Sequence, residues 1–125
     1  MTKRVLIIDD EDDIREVAQV SLELVGGWEV VTARSGREGI QRAQTEHPDA
    51  ILLDVMMPGL DGPTTFERLQ ADPLTHDIPV LLLTAKVQTA DRARFESLGV
   101  QGVLSKPFDP MRLAAEVAEA LGWAA

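Results

Sequence analysis

The sequence predicts an α/β domain, built as a parallel five-stranded sheet with helices on both faces. Short apolar runs and amphipathic segments alternate five times along the 125 residues. The apolar runs are short and aliphatic, which is typical of strands buried on both faces. Because a segment with helical spacing follows each run, the connections are crossovers that keep neighbouring strands parallel.

Each element has its own signal. The predicted strands are 5–8, 28–32, 50–53, 80–83 and 102–104. The first helix covers about 12–25 and ends at Gly26-Gly27; its apolar positions repeat at helical spacing and are Ile14, Val17, Ala18, Ser21, Leu22 and Val25. The second begins at Ser35, with Glu38 three residues on as a capping box, and ends near 47–48.

The other three helices also have residues that mark where they begin or end. The third follows Asp61-Gly62, has Pro63 in its first turn and ends near 72–73. The fourth covers about 90–98 and is closed by Gly99. The fifth is expected to begin at Pro110, and its apolar stripe consists of Leu113, Val117, Ala118 and Leu121.

Length, charge and composition exclude several classes of protein. A length of 125 residues fits one domain, and the formal net charge of -9 argues against direct binding to nucleic acid or to an anionic membrane. The chain has no cysteine, no stretch long enough to span a membrane and no signal-peptide core. We therefore expect a single cytoplasmic domain over 1–125 with no output domain, and the positions of the two ends favour a natural single-domain protein over a fragment.

Polar residues follow four of the five predicted strands. Asp9-Asp10 follows the first strand, Asp54 ends the third, Thr84 ends the fourth and Ser105-Lys106 follows the fifth. The carboxyl ends of parallel strands share one edge of the sheet, where ligands bind, so we expect these side chains to converge. Two adjacent carboxylates ~5 Å apart repel each other by roughly 3 kcal/mol at an effective dielectric of about 20, so a cation is expected beside them.

This set of residues suits phosphoryl transfer. Carboxylates of Asp9, Asp10 and Asp54 could hold Mg²⁺, which prefers a few carboxylates, several waters and a phosphate. An aspartate can form an aspartyl-phosphate, and a metal with Lys106 would neutralise the transferring group. Thr84 could donate its hydroxyl to a phosphoryl oxygen. Each residue alone would more often be a strand end, a cap or a surface group; the combination favours a functional site.

Four motifs carry a resemblance to a known family. They are Ile7-Ile8-Asp9-Asp10-Glu11, the run from Leu53-Asp54 to Asp61-Gly62, Leu83-Thr84-Ala85, and Lys106-Pro107-Phe108. With these motifs at these separations, the chain resembles the receiver domains of bacterial two-component response regulators over almost its whole length. The resemblance implies the flavodoxin-like fold of the chemotaxis response regulator, with strand order 2-1-3-4-5.

The resemblance also implies roles for individual residues. Asp54 would accept a phosphoryl group from a phosphohistidine. Mg²⁺ would be held by Asp9, Asp10, Asp54 and the backbone carbonyl of Met56, with Asp10 the closer ligand and Asp9 partly water-mediated. Thr84 and Lys106 would contact phosphoryl oxygens, and the bond before Pro107 would be cis. The domain would be a signalling module that assists its own phosphorylation and dephosphorylation, not an enzyme.

Three positions depart from common family patterns or tune the family's behaviour. An aromatic residue often lies three positions before the lysine and moves with the threonine, whereas this chain has Val103. Two residues after Asp54 and two after Thr84, positions that tune phosphoryl lifetime, the chain has Met56 and Lys86. Neither is a carboxylate or an amide suited to orienting water. We therefore expect slow self-dephosphorylation and an altered or weaker relay.

The resemblance implies protein partners. A sensor histidine kinase or a histidine phosphotransfer protein is expected to dock on the first helix, through Arg15, Glu16, Gln19 and Glu23, and on the Lys106-Pro107-Phe108 loop. A downstream protein target would read the surface of helix 4, strand 5 and helix 5. A phosphorylation-dependent homodimer is possible.

Three rival functions are open to test. A metal-dependent phosphatase with an aspartate nucleophile would want a second acid where Met56 stands. A flavin- or nucleotide-binding module would want a Gly- or Ser/Thr-rich loop after the first strand, where this chain has five consecutive acids. A phosphorylation-independent binding module would have no need for the intact set of Asp9, Asp10, Asp54, Thr84 and Lys106.

Overall fold

The computed structural model describes residues 2–85 and 89–123, and it has the predicted alternation of strands and helices. The strands are β1 Arg4–Ile8, β2 Glu29–Ala33, β3 Ala50–Asp54, β4 Val80–Thr84 and β5 Gly102–Ser105. The helices are α1 Asp12–Leu24, α2 Gly36–Glu46, α3 Gly62–Ala71, α4 Thr89–Glu96 and α5 Leu113–Leu121.

The five strands form one parallel sheet in the order β2-β1-β3-β4-β5, which confirms the predicted fold. The order reverses direction between β1 and β3, because β2 lies outside β1 while β4 and β5 continue beyond β3. In sheets of this kind ligands bind at the carboxyl ends of the strands beside such a switch point.

The core has two layers, one on each face of the sheet. Consecutive residues of β1 alternate between them: Leu6 and Ile8 face the layer that contains Phe66 of α3, while Val5 and Ile7 face the other. The second layer is covered by α1 and α5, through Ala18, Leu22, Leu113, Ala114 and Val117. β3 and β4, and β1 after Arg4, are buried on both faces, so these stretches carry no polar residue until their carboxyl ends.

Side-chain caps begin two of the helices as predicted. Ser35 Oγ accepts a hydrogen bond from the Glu38 N–H at 3.1 Å, and Asp61 Oδ1 accepts one from the Thr64 N–H at 2.9 Å. The Glu38 carboxylate reaches back to the Arg34 N–H at 2.7 Å, one residue before the position that a capping box uses. These caps fix where the chain turns from the loops into α2 and α3.

Some predicted boundaries differ from the observed ones by one to three residues; α4, for example, ends at Glu96 rather than near 98. The second strand begins at Glu29, so Trp28 precedes it and packs edge-to-face on Trp123, with ring centroids 5.1 Å apart. The fifth helix begins at Leu113 rather than Pro110. Residues 110–112 form a turn in front of it, in which Asp109 Oδ1 accepts the Met111 N–H at 2.9 Å and the Asp109 carbonyl accepts the Leu113 N–H at 3.0 Å.

Part of the predicted apolar stripe of α1 is not in the core. Ala18 and Leu22 are fully buried and Ser21 is nearly so, but Val17 and Val25 are 43% and 46% exposed. The stripe is therefore wider than the surface that the sheet and α5 cover. Within the described ranges 2–85 and 89–123, we find no helix long and apolar enough to cross a bilayer.

Candidate functional site

The polar residues at the strand ends do converge at one edge of the sheet, and a lysine lies at their centre. Lys106 Nζ donates a 3.0 Å hydrogen bond to Asp54 Oδ1, which joins the loop after β5 to the last residue of β3. The same nitrogen lies 3.0 Å from Asp9 Oδ2, beyond the end of β1. Both carboxylates are almost completely buried, with Asp54 3% and Asp9 1% exposed.

The register of the sheet brings Thr84 to the same edge. Asp54 pairs with Leu83, so Thr84 lies one residue beyond it on the neighbouring strand. The Thr84 carbonyl accepts the Lys106 N–H at 2.9 Å, so the two chain segments are adjacent. Thr84 is buried, with 1% of its surface exposed.

Glu11 is a site residue that sequence reasoning missed. Its Oε1 accepts a 3.3 Å hydrogen bond from Lys106 Nζ, and its backbone N–H donates to Asp9 Oδ1 at 2.9 Å. As the third of five consecutive acids before a helix, Glu11 has the pattern of a residue that favours the helix dipole. No periodicity distinguishes it from Asp12 and Asp13, so only the fold reveals its contact with Lys106.

Burial dominates the electrostatics of the site. It raises the pKa of Asp54 from 3.8 to about 6, opposed by the hydrogen bond from Lys106 and supported by the negative charges of Asp9 and Asp10. Burial alone would lower the pKa of Lys106, but its contacts with Asp54 and Asp9 more than compensate, so the Lys106 pKa is raised. Lys106 therefore stays cationic among acids that need positive charge.

The carboxylates fit a hard divalent cation. Three buried oxygens have no hydrogen-bond partner among the described residues: Asp9 Oδ2, Asp10 Oδ1 and Asp54 Oδ2. One of them, Asp9 Oδ2, has the Lys106 ammonium at ion-pair distance but without hydrogen-bond geometry. Carboxylate oxygens of Asp9, Glu11 and Asp54 also lie within 4.8 Å of one another. Such oxygens are the ligands that Mg²⁺ prefers.

The loop after β3 is held against the site by a glycine. The Gly62 N–H donates to the Val55 carbonyl at 2.9 Å. A Cβ at Gly62 would lie 2.5 Å from the Asp54 carbonyl oxygen and 2.7 Å from Val55 Cα, both backbone atoms. This position therefore has no room for a side chain, and the close approach fixes the backbone that carries Asp54.

The two methionines after Asp54 differ in burial. Met57 is 8% exposed and packs in the core, whereas Met56 is 66% exposed and does not. A thioether at Met56 offers no proton, so the acid that a phosphatase of the aspartate-nucleophile class would need is absent at that position. The second lifetime-tuning position, Lys86, lies outside the described residues.

The region around Val103 has a contact that sequence reasoning missed. Val103 is 3% exposed and belongs to the core layer that contains Phe95 of α4. The guanidinium of Arg92, also on α4, donates a 2.6 Å hydrogen bond to the Val103 carbonyl. Helix α4 is thus tied to β5 at the position where we expected a substituted relay. The Lys106-Pro107 bond is cis, as expected from the resemblance.

An apolar strip lies beside the acidic edge. Val17, Val20 and Leu24 of α1 are 43%, 46% and 80% exposed, and Met111, before α5, is 72% exposed. These residues line one groove together with Pro110. We call Val17, Val20, Leu24 and Met111 the α1 strip. By contrast, the Arg15 side chain, predicted to be exposed for docking, is 13% exposed and donates to the Asp9 carbonyl at 2.9 Å.

Sequence comparisons identify similar proteins. The sequence model of a family described as response regulator receiver domain matches residues 5–118. The alkaline phosphatase synthesis transcriptional regulatory protein PhoP of Bacillus subtilis (strain 168) is 40% identical over 117 residues, which cover 94% of this chain and 48% of that protein. The chain spans about half the length of the curated relatives that it matches.

Solved structures of similar proteins match almost the whole of this chain, and this chain in turn covers almost the whole of each of them. A putative response regulator from Chloroflexus aurantiacus J-10-fl is 35% identical, has a TM-score of 0.87, and is matched over 98% of this chain and 99% of that chain. The chemotaxis protein CheY4 of Vibrio cholerae is 30% identical with a TM-score of 0.87, over 96% of this chain and 99% of that one.

Proposed function

The chain belongs to the response regulator receiver domain family, and we propose that it accepts a phosphoryl group on Asp54 from a phosphohistidine. The observation that carries the proposal is the Asp54 carboxylate, buried at the sheet edge with one oxygen bonded to Lys106 and the other without a partner in the described part of the chain. The unpartnered oxygen is the proposed nucleophile.

In the proposed transfer, an Asp54 oxygen forms a bond to phosphorus as the bond between phosphorus and the imidazole nitrogen breaks. The electron pair of the broken bond returns to the imidazole, which takes up a proton from solvent. Lys106 and the Thr84 hydroxyl, both within the same edge, would contact the phosphoryl oxygens. Positioning and charge neutralisation are the main requirements for this kind of reaction.

We propose that Asp9, Asp10, Asp54 and the Met56 carbonyl hold Mg²⁺ here. The support is chemical: within the described residues Asp9 Oδ2 and Asp10 Oδ1 are buried without a hydrogen bond, and Lys106 is the cation beside Asp9 and Asp54. When bound, the metal would neutralise negative charge on the phosphoryl group. The Glu11 carboxylate belongs to the same cluster and is a neighbour of the proposed ligands.

The proposed phosphodonor is a histidine kinase or a histidine phosphotransfer protein that docks on the α1 strip. The strip has the spacing of one helix face and lies next to the loop that carries Lys106 and Pro110. We expect Glu16 and Glu23, which are exposed on α1, to set the specificity at its rim. We propose a structural role for Arg15 instead, because its side chain donates hydrogen bonds to the Asp9 carbonyl and to the Asp12 carboxylate.

The proposed output is the surface formed by α4, β5 and α5. Phosphorylation replaces one negative charge by about two and adds strong acceptor oxygens, which would bias this surface between two states. A downstream protein, or a second copy of this domain, would read the change. We place the domain in the cytoplasm and propose that residues 1–125 act as one receiver, whose effect on any output domain passes through this surface.

We also propose that the phosphorylated form is long-lived. Neither Met56 nor Lys86 has a carboxylate or amide oxygen that could accept a hydrogen bond from an attacking water and so orient it toward phosphorus. A lifetime of seconds, measured by the loss of phosphorylated mass after removal of the donor, would contradict this proposal.

The first test is intact mass after incubation with Mg²⁺ and acetyl phosphate. We expect the wild-type chain to gain one phosphoryl group, and we expect no gain with EDTA or in the Asp54→Asn variant. A folded wild-type protein that binds Mg²⁺ but gains no mass from acetyl phosphate or from a phosphohistidine donor would contradict the proposal and support a phosphorylation-independent binding module.

A further inference from the structure

Lys106 occupies the position that a metal ion would need. Its ammonium lies 3.0 Å from Asp54 Oδ1, 3.0 Å from Asp9 Oδ2 and 3.3 Å from Glu11 Oε1. These three carboxylates are also the ones whose oxygens lie within 4.8 Å of one another. A divalent cation and the ammonium therefore compete for the same oxygens, and they repel each other.

The three carboxylates differ in their freedom to move. Asp9 and Asp54 are 1% and 3% exposed, and their side chains are short. The Glu11 side chain is longer and is 60% exposed, so it stands at the rim of the site. Its backbone is fixed by the hydrogen bond from the Glu11 N–H to Asp9 Oδ1. Glu11 is thus the one acid of the three that can keep its contact with Lys106 while the ammonium moves outward.

We propose that Glu11 is a positioning residue that holds Lys106 at the rim when Mg²⁺ enters. The inner oxygens of Asp9 and Asp54 then become available to the metal. Lys106 stays within reach of the phosphoryl group instead of leaving the site. Glu11 acts through Lys106, not as a ligand of the metal. This inference rests on the proposed function, because it assumes that Mg²⁺ binds at this edge.

The proposal predicts how Glu11 affects Mg²⁺ binding. Without the Glu11 carboxylate, the ammonium has only Asp9 and Asp54 as charged partners within 3.3 Å in the described structure, so it competes more strongly with the metal. The dissociation constant for Mg²⁺ should rise in the Glu11→Gln variant, on the order of fivefold. The rise should require Lys106.

The experiment is a titration with Mg²⁺ alone, followed by isothermal titration calorimetry, on three pairs of proteins. Wild type, Glu11→Gln and Asp13→Asn are compared in the native background and in a Lys106→Met background, where Lys106→Met alone is the reference for the two double variants. Asp13 is exposed on the first turn of α1, and its substitution removes the same charge without touching Lys106. Thermal unfolding of each variant checks that it is folded.

We expect Glu11→Gln to weaken Mg²⁺ binding several-fold more than Asp13→Asn in the native background, and to match Asp13→Asn when Lys106 is Met. If Glu11→Gln weakened Mg²⁺ binding more than Asp13→Asn by the same factor in both backgrounds, the effect would not require Lys106. That result would overturn the proposal and make Glu11 a metal ligand. No excess in either background, or tighter binding in Glu11→Gln, would also overturn it. If the wild type bound no Mg²⁺, the metal site of the proposed function would fail as well, so the two failures are distinguishable.

Discussion

Lys106 Nζ lies 3.0 Å from one oxygen of Asp54, while the other Asp54 oxygen has no hydrogen-bond partner among residues 2–85 and 89–123. Within the described residues, the Asp54 carboxylate therefore has a hydrogen bond at only one of its two oxygens. Burial outweighs the attraction of Lys106, which is why the Asp54 pKa rises to about 6 instead of falling. Because the ionised Asp54 carboxylate is buried, it destabilises the metal-free fold at neutral pH. A cation beside this carboxylate would stabilise it.

The raised pKa predicts how stability depends on pH. In the unfolded chain Asp54 ionises near 3.8, and in the fold near 6, so between these values the folded state binds the extra proton. Raising the pH from about 4 to about 6 should therefore cost the metal-free wild type roughly 2 kcal/mol relative to Asp54→Asn, which has no such titration. Urea unfolding of both proteins in EDTA across this range measures the difference. A difference that is constant with pH would contradict the prediction.

The close packing of Gly62 against the backbone of Asp54 predicts a second effect. Gly62→Ala should lower the free energy of unfolding by roughly 1–3 kcal/mol, since the new Cβ would overlap backbone atoms that cannot rotate away. It should also reduce phosphoryl uptake, because the strand end that carries Asp54 must shift. Gly102→Ala is a matched control, as its Cβ would first meet a side-chain atom, Leu81 Cδ2, at 3.2 Å. Equal losses in the two variants would show that the close approach at Gly62 is not special.

The convergence of Asp9, Asp54 and Lys106 could be predicted from the sequence for a physical reason, whereas the strand order followed from the family resemblance. Strands buried on both faces must end before they can carry polar residues, so the first polar residue after each run marks the carboxyl end of a strand. Parallel pairing then brings these ends together. The motifs spanning these positions pointed to the same family that the comparisons identify.

Other features could not be predicted because they depend on distances between segments. Glu11 and Asp13 have the same local pattern, and only the fold places one of them 3.3 Å from Lys106. The period of α1 identified an apolar stripe but not how much of it the sheet and α5 would cover, so the 43% exposure of Val17 could not be predicted. The start of α5 was placed three residues early because the turn over 110–112, which follows Asp109, has the same sequence signal as a helix start.

The hydrogen bond from Arg92 to the Val103 carbonyl predicts a difference between two arginines of α4. Arg92→Gln should lower the free energy of unfolding by about 0.5–1.5 kcal/mol, because a 2.6 Å charge-assisted bond to β5 is lost. Arg94→Gln should cost under about 0.5 kcal/mol, since Arg94 is 65% exposed and its ion pair with Asp91 is 3.8 Å long. Chemical denaturation of both variants measures this, and an equal effect would remove Arg92 as a link between α4 and β5.

The α1 strip predicts a defect in docking that leaves the chemistry intact. Val20 is 46% exposed, so Val20→Glu should fold normally while placing a charge where the partner's apolar side chains would pack. Transfer from a phosphotransfer domain that phosphorylates the wild type should slow by about tenfold, whereas uptake from acetyl phosphate should stay within about twofold. Leu74→Glu is the matched control, because Leu74 is 59% exposed and lies outside the strip. If both variants slowed transfer equally, or if acetyl phosphate uptake fell in parallel, the strip would not be the docking surface.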